Sequence, residues 1–294
     1  MTTAVITIVR GRHEHLYAQQ RGLALGRRRP DLYVVVGMGD PVATGNTGTG
    51  PLAGSGCRLL LHDLPVDGPL PLSAARNAGA DAAMAAGADV LVFLDVDCVP
   101  SPALVQTYTT AVLAEPRPAL HCGVVHYLAE GVDAARIDPG ALRGRPHAAR
   151  PQPAPGRSIR SSDWHLFWSL SFAVAAPTWQ RLGGFCEQYS GYGGEDTDLG
   201  HHAFRSGVDL RWLGDADAFH QYHESPTPPT QHLVDIVRNA RIFHRRWGFW
   251  PMEGWLSAFA DLGLARYDPD RDDWSVVDAA SATRTAASIS SAQR

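Results

Sequence analysis

Lysine is absent from this chain: all 26 cationic side chains other than histidine are arginine. That excludes lysine Schiff-base and pyridoxal chemistry, and it excludes the Walker A loop, whose lysine reaches the nucleotide phosphates. Cysteine is scarce. Cys57, Cys98, Cys122 and Cys186 form no C-x-x-C pair, so zinc-ribbon and thioredoxin-type sites are excluded and reduced, mostly buried thiols are expected. No run of about 18 uncharged apolar residues occurs, so no membrane-spanning helix is expected, although contact with a membrane surface stays open. The opening MTTAVITIVRGRHEHL lacks the basic and apolar regions of a signal peptide, and a cytoplasmic location is the expectation. A surplus of positive charge is also missing. The net charge of −4 argues against a nucleic-acid-binding surface.

What is present is enough apolar residue for a substantial core. With 45% hydrophobic and 19% charged residues in 294, the chain reads as one large α/β domain with an appendage. Apolar runs at Ala4–Val9, Leu32–Met38, CRLLLHDL and Val90–Leu94 alternate with helical segments. This spacing predicts βαβ units and a mostly parallel, Rossmann-like sheet flanked by helices. The Gly- and Thr-rich stretch from Asp40 to Gly56 reads as a loop, and residues 129–160, rich in Pro, Arg and Gly, as a mobile one. Residues 230–265 are helical and aromatic-rich. The expected organisation is a catalytic domain over 1–225, a helical extension over 226–267 and a flexible tail over 268–294.

Three elements carry chemistry. In FLDVDC, Asp95 and Asp97 follow the most apolar strand, at the end where open α/β sheets bind ligands. Residues two apart point the same way, so the two carboxylates can converge on a hard cation, Mg²⁺ or Mn²⁺. Next, GGFCEQYSGYGGEDTDLG places Glu195 and Asp196 at a helix start, where the dipole is expected to stabilise their charged forms and suit one of them to general-base work. The glycines before them allow close approach of the backbone to a ligand. Last, His220 and His223 follow the strand VDLRWL, and imidazole beside carboxylate favours Mn²⁺ over Mg²⁺.

In that order, strand–DxD, GGF…GYGGEDTD and then histidine, the chain resembles the GT-A-fold glycosyltransferases. It is most similar to glycosyltransferase family 2 with a galactosyltransferase-type C-terminal region, over roughly residues 3–225. The resemblance implies a metal-dependent, inverting transfer of a sugar from a nucleotide-diphosphate-sugar, with UDP favoured, to an acceptor hydroxyl. It implies Asp97 and His220 as metal ligands, with Asp95 and His223 as alternates, and Asp196 as the base. Glu195 is then a sugar contact and Tyr192 an acceptor contact. Val9, Arg10, Gly11, Asp40, Arg76, Asn77, Asp95, Gly193 and Gly194 fall to the donor. The usual second-strand ending, Asp-Asp or Asp-Gly-Ser, is replaced here by Gly37-Met38-Gly39-Asp40, which leaves the choice of nucleotide open. Two other readings compete: a GT-A-like nucleotidyltransferase, and a nucleotide-sugar-binding protein without catalysis. The opening VRGRHEH is a poor match to a nucleotidyltransferase loop. A degenerate binder would not be expected to keep DxD, the ED pair and His220 together.

Overall fold

The structure is a computed structural model that describes residues 1–224 and 226–277. Apolar runs and helical punctuation produce the expected alternation: β1 (Thr3–Val9), α1 (His13–Ala24), β2 (Leu32–Met38), α2 (Pro41–Thr47), β3 (Arg58–Leu64), α3 (Leu72–Ala85) and β4 (Val90–Leu94). Then follow β5 (Cys98–Pro100), α4 (Leu104–Ala114), β6 (Ala119–Tyr127), β7 (Arg145–Pro146), β8 (Ser158–Ser161) and β9 (Ser171–Ala175). This part of the chain closes with α5 (Ala176–Leu182), α6 (Glu195–Arg205) and β10 (Asp209–His220). The strand order is β3-β2-β1-β4-β9-β6-β10-β5, with β7 beside β6 and β8 beside β10. Strands β3, β2, β1 and β4 run parallel, β9 is antiparallel to both β4 and β6, and β10 returns parallel to β6.

Strand alternation divides the core. Ile6, Ile8, Val34, Val36, Leu91 and Phe93 pack on one face with α3, α5 and α6, while Val5, Val9, Tyr33, Val35, Val92 and Leu94 pack on the other with α1 and α4. Burial on both faces explains why these strands read as unbroken apolar runs. The result is a mixed α/β architecture, one central sheet flanked by helices, as expected.

Two expected loops are more ordered than expected. Asp40 caps α2 by accepting from Ala43 N at 3.1 Å, with Pro41 at the first helical position, so the Gly- and Thr-rich stretch starts as a helix. Residues 129–160, expected to be mobile, are packed. Leu128, Ala134 and Leu142 bury themselves with Ala18, Val99 and Phe219 in a separate apolar cluster, and Arg21 Nη1 donates to Ile137 O at 2.6 Å. Their apolar residues have no regular period, so the pattern was invisible in the sequence.

The described residues divide into two compact units, residues 1–187 with 195–223, and residues 188–194 with 224 and 226–277. In the second, α7 (Leu233–Trp247), α8 (Glu253–Asp261) and the antiparallel pair β11 (Ala265–Asp268) and β12 (Asp273–Val276) enclose a small core of Ile236, Ala240, Leu256 and Phe259. The tail expected from 268 onward therefore begins too early. Asp273 accepts from Arg241 on α7, and Trp274 packs on the core, so the segment is tied by an ion pair and an apolar anchor. The rest of that expected tail, 278–294, lies outside the described residues. The C-terminal aromatics pack within this unit too: Trp250 stacks on His244 with centroids 4.1 Å apart, and Phe249 meets Phe243 edge-on. Among the described residues no helix is long and apolar enough to cross a membrane.

Candidate active site

The DxD turn is built by a residue far from it in sequence. Directly after β4 the chain reverses, Cys98 N donating to Asp95 O at 2.8 Å. Gln19 of α1, fully buried, donates through Nε2 to Asp95 O at 2.7 Å and Cys98 O at 3.1 Å. Its Oε1 accepts from the Thr7 and Tyr33 hydroxyls, each at 2.7 Å. A carboxamide with both ends satisfied in a low-dielectric core fixes the turn and hence where the two aspartates emerge.

Asp97 is the centre of a cluster. Its Oδ2 lies 3.5 Å from His220 Nε2, 3.6 Å from His223 Nε2 and 3.3 Å from Arg12 Nη1. The register of β10 on β5 sets His220 opposite Cys98, and Gln221 N donates to Asp97 O at 2.7 Å. The ligand atoms of Asp97, His220 and His223 lie within 4.8 Å of one another. Burial opposes the Asp97 charge, but the hydrogen bond with His223 and the charges of His220 and Arg12 outweigh it and hold the carboxyl at about 2. Its Oδ1 is buried and meets no hydrogen-bond partner among the described residues. An ionised carboxylate with an orphaned oxygen beside two imidazoles is a donor set that fits Mn²⁺. His223, the alternate histidine, thus joins His220 at Asp97.

Asp95, the alternate metal contact, is occupied otherwise. Its Oδ1 accepts from Arg76 Nη2 at 3.0 Å, and the same guanidinium donates through Nη1 to Glu195 Oε1 at 3.3 Å. Burial disfavours the Arg76 charge, yet Asp95 and Glu195 together more than compensate it. Burial raises Asp95, opposed by Arg76. Glu195 is pushed up to about 7, first by burial and then by the neighbouring Asp196, and its Oε2 is buried without a partner among the described residues. Burial also raises Asp196, whose Oδ1 accepts from Thr197 N at 2.7 Å. The expectation that the helix dipole would favour both charges is overturned: desolvation is the larger effect at this helix start.

Other expected donor residues are tied into the fold. Asp40 accepts from Gly11 N at 2.7 Å and pairs with His13 Nε2 at 2.9 Å, joining the loops after β1 and β2. Val9 is buried at the end of β1, while Arg10 and Gly11 are exposed. Asn77 donates to Phe185 O at 2.9 Å and Glu187 Oε1 at 2.8 Å and accepts from Phe185 N at 2.9 Å, so its amide anchors the GGF turn.

In the second unit, the glycine run is organised by Asn239 of α7. This fully buried side chain donates through Nδ2 to the carbonyls of Ser190, Tyr192 and Gly193, at 3.1, 3.3 and 2.8 Å. Gly193 and Gly194 both take φ of +93°, a conformation that glycine adopts without strain. Tyr192 is 40% exposed and stacks on His232, centroids 4.6 Å apart. Sequence reasoning missed Arg12, Gln19 and Asn239. Arg12 was visible as a cation just after the first strand. The two amides look like ordinary polar positions on amphipathic helices.

Against known proteins, the fold is similar to that of S. aureus TarS. The TarS 1-349 structure with UDP superposes with a TM-score of 0.56 at 14% identity, covering 87% of this chain and 75% of that one. Its complex with UDP-GlcNAc gives 0.54 at 14% identity, covering 89% and 80%. Residues 160–224 match the family described as N-terminal domain of galactosyltransferase. Two curated relatives are validoxylamine A glucosyltransferases of Streptomyces hygroscopicus, from subsp. jinggangensis (strain 5008) and subsp. limoneus. Each is 29% identical over 161 residues, or 47% of this chain, and 36% and 34% of the respective relative. The chain spans about a third of the length of these relatives.

Proposed function

We propose that the protein is a metal-dependent, inverting glycosyltransferase of the family 2 type with a galactosyltransferase-like second half, moving a sugar from a nucleotide-diphosphate-sugar to an acceptor hydroxyl. The observation that carries this reading is the Asp97–His220–His223 cluster, set beside the Asp95–Arg76–Glu195 bridge at the carboxyl end of the central strands. The similarity to a glucosyltransferase and to a fold crystallised with UDP and UDP-GlcNAc supports a nucleotide-sugar donor, with UDP favoured.

In this reading Asp97, His220 and His223 hold Mn²⁺ or Mg²⁺, which supplies Lewis-acid stabilisation of the charge that grows on the departing diphosphate. Arg76 keeps Asp95 and Glu195 in register, and Arg12 adds positive charge beside Asp97. Asp196 takes the proton of the acceptor hydroxyl as that oxygen attacks the anomeric carbon. Its raised pKa makes it a stronger base than a solvated aspartate. A single direct displacement by that oxygen, with Asp196 as the base, inverts the anomeric centre. Glu195 presents its free Oε2 to a sugar hydroxyl, and the exposed ring of Tyr192 offers a stacking surface to an acceptor. Val9, Arg10, Gly11 and Asp40, at the ends of β1 and β2, fall to the donor in this reading.

Calorimetric titration of UDP-sugars with Mn²⁺, with EDTA, and in Asp97→Ala tests the assignment. Donor affinity should fall at least about tenfold on chelation and in the variant, in line with the loss of a metal contact. Unchanged affinity in both cases would sink the metal assignment, and binding with no slow release of free nucleotide would leave a binder in place of an enzyme.

A further inference from the structure

Arg150 is a buried cation that the proposed transfer does not use. It lies in the packed stretch after β7, with its N–H donating to His147 O at 3.0 Å. Its guanidinium carbon sits between two indoles, 5.0 Å from the Trp168 ring centroid and 4.6 Å from that of Trp212. The residue is 6% exposed, and Nε, Nη1 and Nη2 are all buried with no hydrogen-bond acceptor among the described residues. The groups that feel its charge are Cys122, Tyr127, Tyr108 and Cys98. Burial pushes each of these up, Cys122 to about 12, so they are neutral and supply no counter-charge.

The contrast with Arg76 is direct. Both guanidinia are buried, but Arg76 faces two carboxylates and Arg150 faces none. Indole contacts recover part of the desolvation cost through cation–π attraction, yet they leave five N–H donors unmet. Such a fork matches a carboxylate or phosphate bidentately. The position flanks the candidate active site. Leu170, two residues beyond Trp168, accepts through its carbonyl from Asp95 N at 2.9 Å. Tyr127 feels the charges of Arg150, Asp97 and Asp95 alike, and its ring lies 5.0 Å from that of His220. Trp168 is the half-buried wall, with the exposed His147 against it at 4.8 Å, and so forms the side that opens to solvent.

We infer that Arg150 receives an oxyanion, a carboxylate or phosphate group carried by a substrate, admitted when Trp168 turns aside. The identity of the carrier rests on the transferase reading, whereas anion binding itself does not. The full chain, in EDTA, is titrated with inorganic phosphate and with acetate while tryptophan emission and melting temperature are followed, alongside Arg150→Gln and Arg150→Met. A saturable emission change and a rise in melting temperature are expected in the wild type, weakened at least about tenfold in both variants, as loss of a charged hydrogen-bond pair predicts. Repeating the titration in saturating UDP assigns the anion: a response that survives belongs to the acceptor, and one that is lost belongs to the donor. No response, or equal affinity in wild type and variants, overturns the inference. Should both variants fail to fold, wild-type crystals grown in phosphate decide. An oxyanion on the guanidinium supports the assignment, and a guanidinium without one refutes it.

Discussion

The turn after β4 and the glycine run before α6 are both irregular, both lead acidic residues into position, and both are wrapped on one fully buried carboxamide. Gln19 serves the first and Asn239 the second, and each donates to several backbone carbonyls. They differ at the other end. Gln19 Oε1 accepts from two hydroxyls, whereas Asn239 Oδ1 is buried with no partner among the described residues. The first is a closed network, so removing its centre orphans donors and acceptors alike. The second holds carbonyls only, and part of what its removal costs is returned by losing an unmet acceptor. The acids differ in the same sense. Asp97 is held ionised by cationic neighbours, while Glu195 and Asp196 are pushed toward the neutral form by burial.

The largest test of this contrast is catalytic. Asp196→Asn should lower kcat by about 10²–10⁴ with donor and Mn²⁺ affinity nearly unchanged, because it keeps the shape and removes only the base. Steady-state kinetics with calorimetry reads both quantities. A variant that keeps more than about a tenth of kcat would shift the base to Glu195. Next in size, Gln19→Leu should cost about 3 kcal/mol of stability, since it strands the Tyr33 hydroxyl and the Cys98 carbonyl and takes one of two donors from the Asp95 carbonyl. It should also weaken Mn²⁺ binding, because the turn carries Asp97. Asn239→Leu should cost less, about 1–2 kcal/mol, and leave Mn²⁺ affinity as it was. Equal losses of Mn²⁺ affinity in these two variants would erase the distinction drawn between the turns. Urea unfolding measures the stabilities.

The smallest signal is a slope with pH. Glu195 titrates at about 7 in the folded protein against 4.5 in the open chain. The folded state therefore binds its proton more tightly, and the stability this contributes is full below about 4.5 and is lost as pH rises through about 7. Glu195→Gln should flatten that decline relative to the wild type. Unfolding curves collected across the window check it, and an unaltered slope would mean that Arg76 already holds Glu195 ionised.

Much of the frame was legible in the chain. The buried strands showed as apolar runs, and the DxD, the ED pair and the two histidines marked the chemistry. Residues 129–160 and the segment after 268 were misread because their order depends on scattered anchors such as Leu142, Arg241 with Asp273, and Trp274. None of these has a local period. Asn77 and Asp40 were expected as ligand contacts, and the hold their side chains have on the GGF turn and on the loops after β1 and β2 was not foreseen. A polar residue at a strand or helix end looks alike in either role.

The sequence by itself determined the parallel β3-β2-β1-β4 part of the sheet and which residue types could do chemistry, because burial on both faces and helix punctuation are local patterns. Only the tertiary structure decided how those residues group: His223 with Asp97, Asp95 with Arg76, and an unpaired Arg150 between two indoles. The physical reason is that charge pairing and desolvation are set by distance in space. The closures that bring Gln19 under Asp95, Arg76 to Glu195 and Arg150 to Trp212 span 76, 119 and 62 positions of chain, far beyond the reach of any repeating pattern.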